Sequence, residues 1–153
     1  MKRNKKKIDT QEDYMMLLAR AIGANNGTCD RARIGVIIAT KDGEILVKGW
    51  NTSVRGTKTC DEIGHYIIKN HCIRTIHAEQ MAIANATRDK ISLKNSIAYI
   101  THKPCVSCLK SLISCGVKKI YFEQDYQDKE MEDFYNSLKD LPSITIEQYK
   151  KGE

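Results

Sequence analysis

Two hydrophobic periods divide the chain into elements. Over residues 10–24 apolar side chains recur at helical spacing, which predicts a helix with Thr10 or Asp9 as its N-cap. The apolar run at 33–39 (RIGVIIA) reads as a buried strand. Lys41-Asp42-Gly43 is a turn, and 44–49 (EILVKG) reads as the returning strand of a hairpin. Residues 51–70 are polar and irregular, with a short helix from Glu62. Beyond them helices and strands alternate: helix 77–87, strand 96–101, helix 104–115 opened by Pro104 and closed by Gly116, strand 118–123, helix 129–139 and a last short strand at 144–147. A hairpin followed by this alternation predicts an α/β domain, a mixed sheet with helices on its faces.

Composition narrows the class. The chain has 153 residues, 41% of them hydrophobic, enough for one domain with a real core. No run of about eighteen apolar residues suggests a membrane partner. The N-terminus, MKRNKKKIDT, is basic and lacks the apolar stretch of a secretory signal, so the expected location is the cytoplasm. The net charge is +6, but Lys2, Arg3, Lys5, Lys6 and Lys7 crowd into that tail and leave the rest nearly neutral. A basic tail can touch nucleic acid or anionic lipid. A solvated, disordered tail over residues 1–9 ahead of a folded domain at 10–150 is the simpler expectation, and nucleic acid is not an expected partner. Six cysteines without a signal peptide point to metal or catalysis rather than disulfides.

Two short patterns carry that chemistry: His77-Ala78-Glu79, and Pro104-Cys105-Val106-Ser107-Cys108. Together they match the H-x-E…P-C-x-x-C signature of zinc-dependent nucleobase deaminases. Cys105 and Cys108 are spaced i, i+3, so they share one side of a helical turn. Near a helix N-terminus the unpaired N–H groups and the helix dipole favour thiolates. With His77 they make a three-ligand site for Zn2+, the donor number of a catalytic zinc, whose open fourth position takes a water and lowers its pKa. Glu79 is the expected proton shuttle. Residues i and i+2 do not share a helix side, so His77 and Glu79 can converge only if a helix tip, not its flank, faces the metal.

Longer stretches narrow this further. TCDRARIGVII, GWN, CDEIGH, HCIRTIHAE, THKPCVSC and GVKKIYF, spread over residues 14–126, resemble the deoxycytidylate (dCMP) deaminase family, including its bacterial branch of late competence operon proteins. The resemblance implies a three-layer α/β/α cytidine-deaminase-like fold with a central five-stranded mixed sheet. It implies hydrolysis of dCMP to dUMP and ammonia, feeding thymidylate synthesis. It also implies a homo-oligomer (hexamer or dimer) and control by dCTP and dTTP. His77, Glu79, Cys105 and Cys108 carry over directly. Asn51 matches the family's deoxyribose-contacting asparagine, and Tyr126 its aromatic residue near the 5′-phosphate. The family's G-Y-N-G motif stands here as Gly49-Trp50-Asn51-Thr52, which puts the allosteric loop in doubt.

The resemblance further implies a second, structural zinc held by Cys29, Cys60 and Cys72, with His65 or His71 as fourth ligand. Such an ion would close its coordination shell and staple a long polar loop. Cys115 falls on the inner side of a helix and reads as core. For the phosphate, Arg31, Arg33, Arg55, Lys58 and Arg74 are candidates, with Arg74 close in sequence to His77. A tRNA adenosine deaminase would share the zinc motif but would need a broad basic surface. The deaminase half of a riboflavin-pathway enzyme would have wider cysteine spacing and an attached reductase domain. A non-enzymatic zinc protein of competence or DNA uptake would have no use for Glu79.

Overall fold

The computed structural model describes residues 8–125 and 129–151. Its elements are α1 (Gln11–Asn26), β1 (Gly35–Ala39), β2 (Ile45–Trp50), β3 (Thr52–Ser53), α2 (Cys60–Ile63), β4 (Ile67–Ile68), β5 (His71–Cys72), β6 (Thr75–Ile76), α3 (Ala78–Arg88), β7 (Ile97–His102), α4 (Val106–Ser114), β8 (Lys119–Gln124), α5 (Lys129–Lys139) and β9 (Thr145–Gln148). Five strands form the central sheet in the order β2-β1-β7-β8-β9. The β1–β2 hairpin and the β1–β7 pair are antiparallel, whereas β7–β8 and β8–β9 are parallel. The parallel pairs follow from the crossovers α4 and α5, since parallel neighbours cannot be joined by a tight turn. This is the expected α/β/α architecture with a five-stranded mixed sheet.

Each face of the sheet has its own core. On one side α1 lays Met15, Met16 and Ala19 against Ile37, Ala39 and Tyr99. On the other, Ala78, Ala82 and Ala86 of α3, Leu109 and Leu112 of α4 and Tyr135 of α5 cover Val36, Ile38, Ala98, Ile100, Ile120 and Phe122. The three alanines let α3 lie close to the sheet, and Gly49 of β2 lets it lie closer still. A Cβ at Gly49 would fall on the Ala78 carbonyl oxygen and come within 2.7 Å of the Ala82 nitrogen. Among the described residues no helix is long and apolar enough to cross a membrane.

The element boundaries depart from the sequence expectation where side chains intervene. Thr10 caps α1, its hydroxyl accepting from Asp13 N–H at 3.1 Å. The first strand starts at Gly35 rather than at residue 33. The Asn51 side chain accepts from Ile34 N–H (2.7 Å) and donates to the Ala32 carbonyl (2.6 Å), taking over the backbone groups a ladder would use. Pro104 does not open a helix. It precedes the N-cap Cys105, and α4 begins at Val106. Gly116, with φ 96°, closes that helix as expected. Thr52 is extended and paired with Ile76, so the position where the family has glycine needs no left-handed backbone here.

The segment between β3 and α3 is more ordered than its polarity suggests. Thr59 and Glu62 form a reciprocal cap at the start of α2. β4 and β5 form a hairpin with a two-residue loop, Lys69-Asn70, both at positive φ (46° and 63°), as a type I′ turn requires. Residues 1–7 of the basic tail lie outside the described residues.

Candidate metal centre and active site

Two helix N-termini converge at the carboxyl end of β7. His77 is the N-cap of α3, and Cys105 the N-cap of α4. Cys108, one turn into α4, donates its backbone N–H to Cys105 Sγ at 3.5 Å. His77 Nδ1 lies 3.7 Å from Cys105 Sγ and 3.4 Å from Cys108 Sγ. Glu79 sits in the first turn of α3 and is buried. The helix-tip arrangement required by the i, i+2 spacing of His77 and Glu79 is therefore the one the fold provides.

The donor set fits zinc. Zn–S of 2.3 Å and Zn–N near 2.05 Å across a tetrahedral angle place sulfur and nitrogen about 3.6 Å apart, which the two N···S distances match. The two thiols are electrostatically unequal. Cys105 is drawn down to about 4, first by its hydrogen bond with Cys108 and then by His77. Cys108 is pushed up by the same bond and by burial. One sulfur is thus drawn toward the thiolate and its neighbour toward the thiol, and a dication would favour ionisation of both. Burial pushes the Glu79 carboxyl up to about 7. A cation held by the neighbouring thiolates would act in the opposite direction.

A second group forms in the insert. Cys29, Cys60, His65 and Cys72 bring their donor atoms within 4.8 Å of one another, with Cys60 Sγ 3.5 Å from Cys72 Sγ and Cys29 Sγ 3.5 Å from His65 Nδ1. Burial pushes the Cys60 thiol up to about 12. Burial acts the same way on Cys72, but hydrogen bonds from the Arg74 and Tyr66 backbone outweigh it and bring that thiol down to about 6. His71, the other candidate for the fourth position, is not in this group. It lines a cleft of about 260 Å³ together with Cys29, Cys72 and His77. Cys115 caps the end of α4 against the core, as its position suggested.

That cleft is lined by Arg31, Asn51, Asn70, His71, Thr75 and His77, among others. Asn51 lines it while spending one amide donor and one acceptor on the loop before β1, which leaves one of each for another partner. Of the cationic candidates, Arg31 reaches the cleft. Arg33 is tied to the Gly27 carbonyl and Asp61. Arg74, the candidate close in sequence to His77, donates to the Gly64 carbonyl at 3.0 Å in the insert and does not line the cleft. Tyr126 lies outside the described residues. Sequence reading missed Asn70 as a lining residue. Its signal was the turn it forms with Lys69, which lacks the usual Asn-Gly spelling.

A mixed α/β/α sheet with His-x-Glu and Pro-Cys-x-x-Cys on two converging helix tips is the architecture of a zinc-dependent nucleobase deaminase. The sequence family described as the cytidine and deoxycytidylate deaminase zinc-binding region matches residues 9–124. ComE operon protein 2 of Bacillus subtilis is 33% identical over 130 residues, covering 85% of this chain and 67% of that protein. The deoxycytidylate deaminase of Saccharomyces cerevisiae is 25% identical over 148 residues, covering 93% of this chain and 46% of the yeast protein. The dCMP deaminase of cyanophage S-TIM5, solved in complex with dCMP and dUMP, superimposes with a TM-score of 0.74 at 26% identity, covering 94% of this chain and all of that one. The chain belongs to the cytidine and deoxycytidylate deaminase family.

Proposed function

We propose that the protein hydrolyses dCMP to dUMP and ammonia and so feeds thymidylate synthesis, with His77, Cys105 and Cys108 holding a catalytic zinc and Glu79 moving the protons. The observation that carries this is the meeting of these four side chains on two helix tips beside a cleft. A zinc ion bound there would acidify a water molecule for attack. Glu79 accepts the proton from that water as a C–O bond forms at C4 of the cytosine and delivers it to N3. It then takes the proton of the new C4 hydroxyl and passes it to the amino group, so that the C4 carbonyl forms as the C4–N bond breaks and ammonia leaves. Burial of Glu79 keeps bulk water from competing for the proton.

The monophosphate is the favoured substrate because Arg31, Asn70 and His71 supply a cation and polar donors at the cleft, and because the cyanophage relative holds dCMP and dUMP. Asn51 organises the loop that carries Arg31 and offers its remaining amide groups to the sugar. Cys29, Cys60, His65 and Cys72 hold a second, structural zinc. Assembly into an oligomer and control by dCTP and dTTP belong to the same reading, and the regular strand at Thr52 favours a site with weakened nucleotide control.

The deciding experiment measures ammonia and dUMP release from dCMP, with cytidine, deoxycytidine, dCTP and a tRNA anticodon stem-loop in parallel, each with and without added dCTP as effector. Turnover of dCMP well above the others supports the proposal. Turnover of the RNA, or of no cytosine compound, sinks it.

A further inference from the structure

Lys103 is an ammonium-bearing side chain that is only 8% exposed. A buried cation needs partners, and this one has four. Its Nζ lies 3.2 Å from Asp125 Oδ1 and 3.6 Å from Glu132 Oε2. It also stands 4.4 Å from the centre of the Tyr135 ring and 5.9 Å from that of Phe122. Phe122 belongs to β8, Asp125 follows its end, and Glu132 and Tyr135 are neighbours along α5.

The main chain of Lys103 is fixed separately. Its N–H donates to the Gln124 carbonyl at 2.8 Å, carrying the parallel β7–β8 ladder one step past the His102–Gln124 pair. Next comes buried Pro104, whose ring fixes φ, and then Cys105. The Cys105 sulfur is therefore presented by a short stiff strut rooted in Lys103. No feature of the Pro-Cys-x-x-Cys motif asks for a cation at this position.

We infer that Lys103 is a positioning residue for the metal centre. By clamping the end of β8 and the first turns of α5 onto the 103–105 strut, it holds Cys105 in place and slows loss of the ion held by His77, Cys105 and Cys108. Without the ammonium, Asp125 and Glu132 would face each other unpaired beside two aromatic rings, α5 would move out, and the strut would loosen. The inference rests on the zinc reading of that trio. The second cluster provides an internal reference, because its donors lie in the loop before β1, in α2 and in the insert.

The test follows zinc release from the fully loaded full-length protein into a chromogenic chelator, 4-(2-pyridylazo)resorcinol. Cys108→Ser and Cys60→Ser, which each remove one site, assign the two release phases. Lys103→Met, which keeps an unbranched apolar side chain without the charge, is expected to speed release from the His77–Cys105–Cys108 site by about tenfold, the scale of lost outer-shell support, and to leave the other phase unchanged. Lys103→Arg should release zinc like the parent, and Asp125→Asn should fall between. Asp125→Asn carries the test if Lys103→Met does not fold. Equal acceleration of both phases, or a lower melting temperature with both rates unchanged, would reduce Lys103 to ordinary packing and overturn the inference. Absence of zinc from the trio in the parent would overturn the metal reading itself, a result distinguishable by stoichiometry alone.

Discussion

His77 and Cys105 hold the same station on two different helices. Each is the N-cap, of α3 and of α4 respectively, and His77 Nδ1 and Cys105 Sγ are 3.7 Å apart. The convergence of two caps leaves the first turns of both helices free to supply the remaining groups, Glu79 and Cys108.

Glu79→Gln preserves size and hydrogen bonding but cannot take a proton. It should retain the zinc of the parent and lose roughly 10²- to 10⁴-fold in kcat on dCMP, the range for removing a general acid–base. Metal analysis beside steady-state kinetics checks both halves. Unchanged turnover would remove Glu79 from the mechanism.

Native mass spectrometry should find two zinc ions per chain, one in Cys60→Ser and one in Cys108→Ser. The two variants should then diverge. Cys108→Ser loses turnover, whereas Cys60→Ser loses thermal stability in the insert, because four closed ligands fold that loop. A single zinc in the gently purified parent would remove the structural ion.

Arg31→Ala should raise KM for dCMP by about 10- to 100-fold, the worth of a charge-assisted contact, while kcat and the weak turnover of deoxycytidine stay near parental values. A uniform loss on both substrates would mean that Arg31 shapes the loop rather than meeting the phosphate.

The Tyr149 hydroxyl donates to the Asp13 carboxylate across the α1 side of the sheet. That bond holds the Asp13 carboxyl below its ordinary value, and burial together with Asp13 pushes the Tyr149 hydroxyl up to about 12. The Asp13 contribution is present above the ordinary carboxylate pKa near 4 and is lost as pH falls through its lowered native value. The Tyr149 contribution is present below the ordinary phenol pKa near 10 and is lost as pH rises toward 12. Tyr149→Phe should flatten both limbs of a urea-midpoint profile taken from pH 2 to 11. A parallel offset across the whole range would show that packing, not ionisation, is involved.

Gly49→Ala should destabilise the fold by about 1–3 kcal/mol, because the new methyl group meets backbone of α3. Since α3 carries His77 and Glu79, activity should fall more than the loss of folded protein explains, measurable at a temperature where the variant is fully folded.

The sheet, and the meeting of His77, Cys105 and Cys108 on two helix tips, were largely legible in the chain. Apolar runs such as GVIIA and IAYIT bury both sides of their strands, and His-x-Glu with Pro-Cys-x-x-Cys has few other physical uses. The insert was not legible. Its two-residue strands carry no alternation, its hairpin turns on Lys69-Asn70, and spacing alone cannot say which of His65 and His71 faces inward. Arg31 and Arg74 look alike in sequence, but the ladder and the insert send them to different places. Lys103 was invisible for another reason. A lysine in a loop reads as solvated until Asp125 and Glu132, 22 and 29 residues further on, are seen around it.

The two faces of the sheet also differ in what they can tolerate. Everything assigned to chemistry projects from the α3–α4 side or from the loops at the strand ends, whereas the Met15–Met16–Ala19 side of α1 packs against Ile37 and Tyr99 and carries none of it. Selection for a hardier enzyme can therefore work on the α1 layer without taxing turnover. The fold keeps its evolutionary freedom on one side and its commitments on the other.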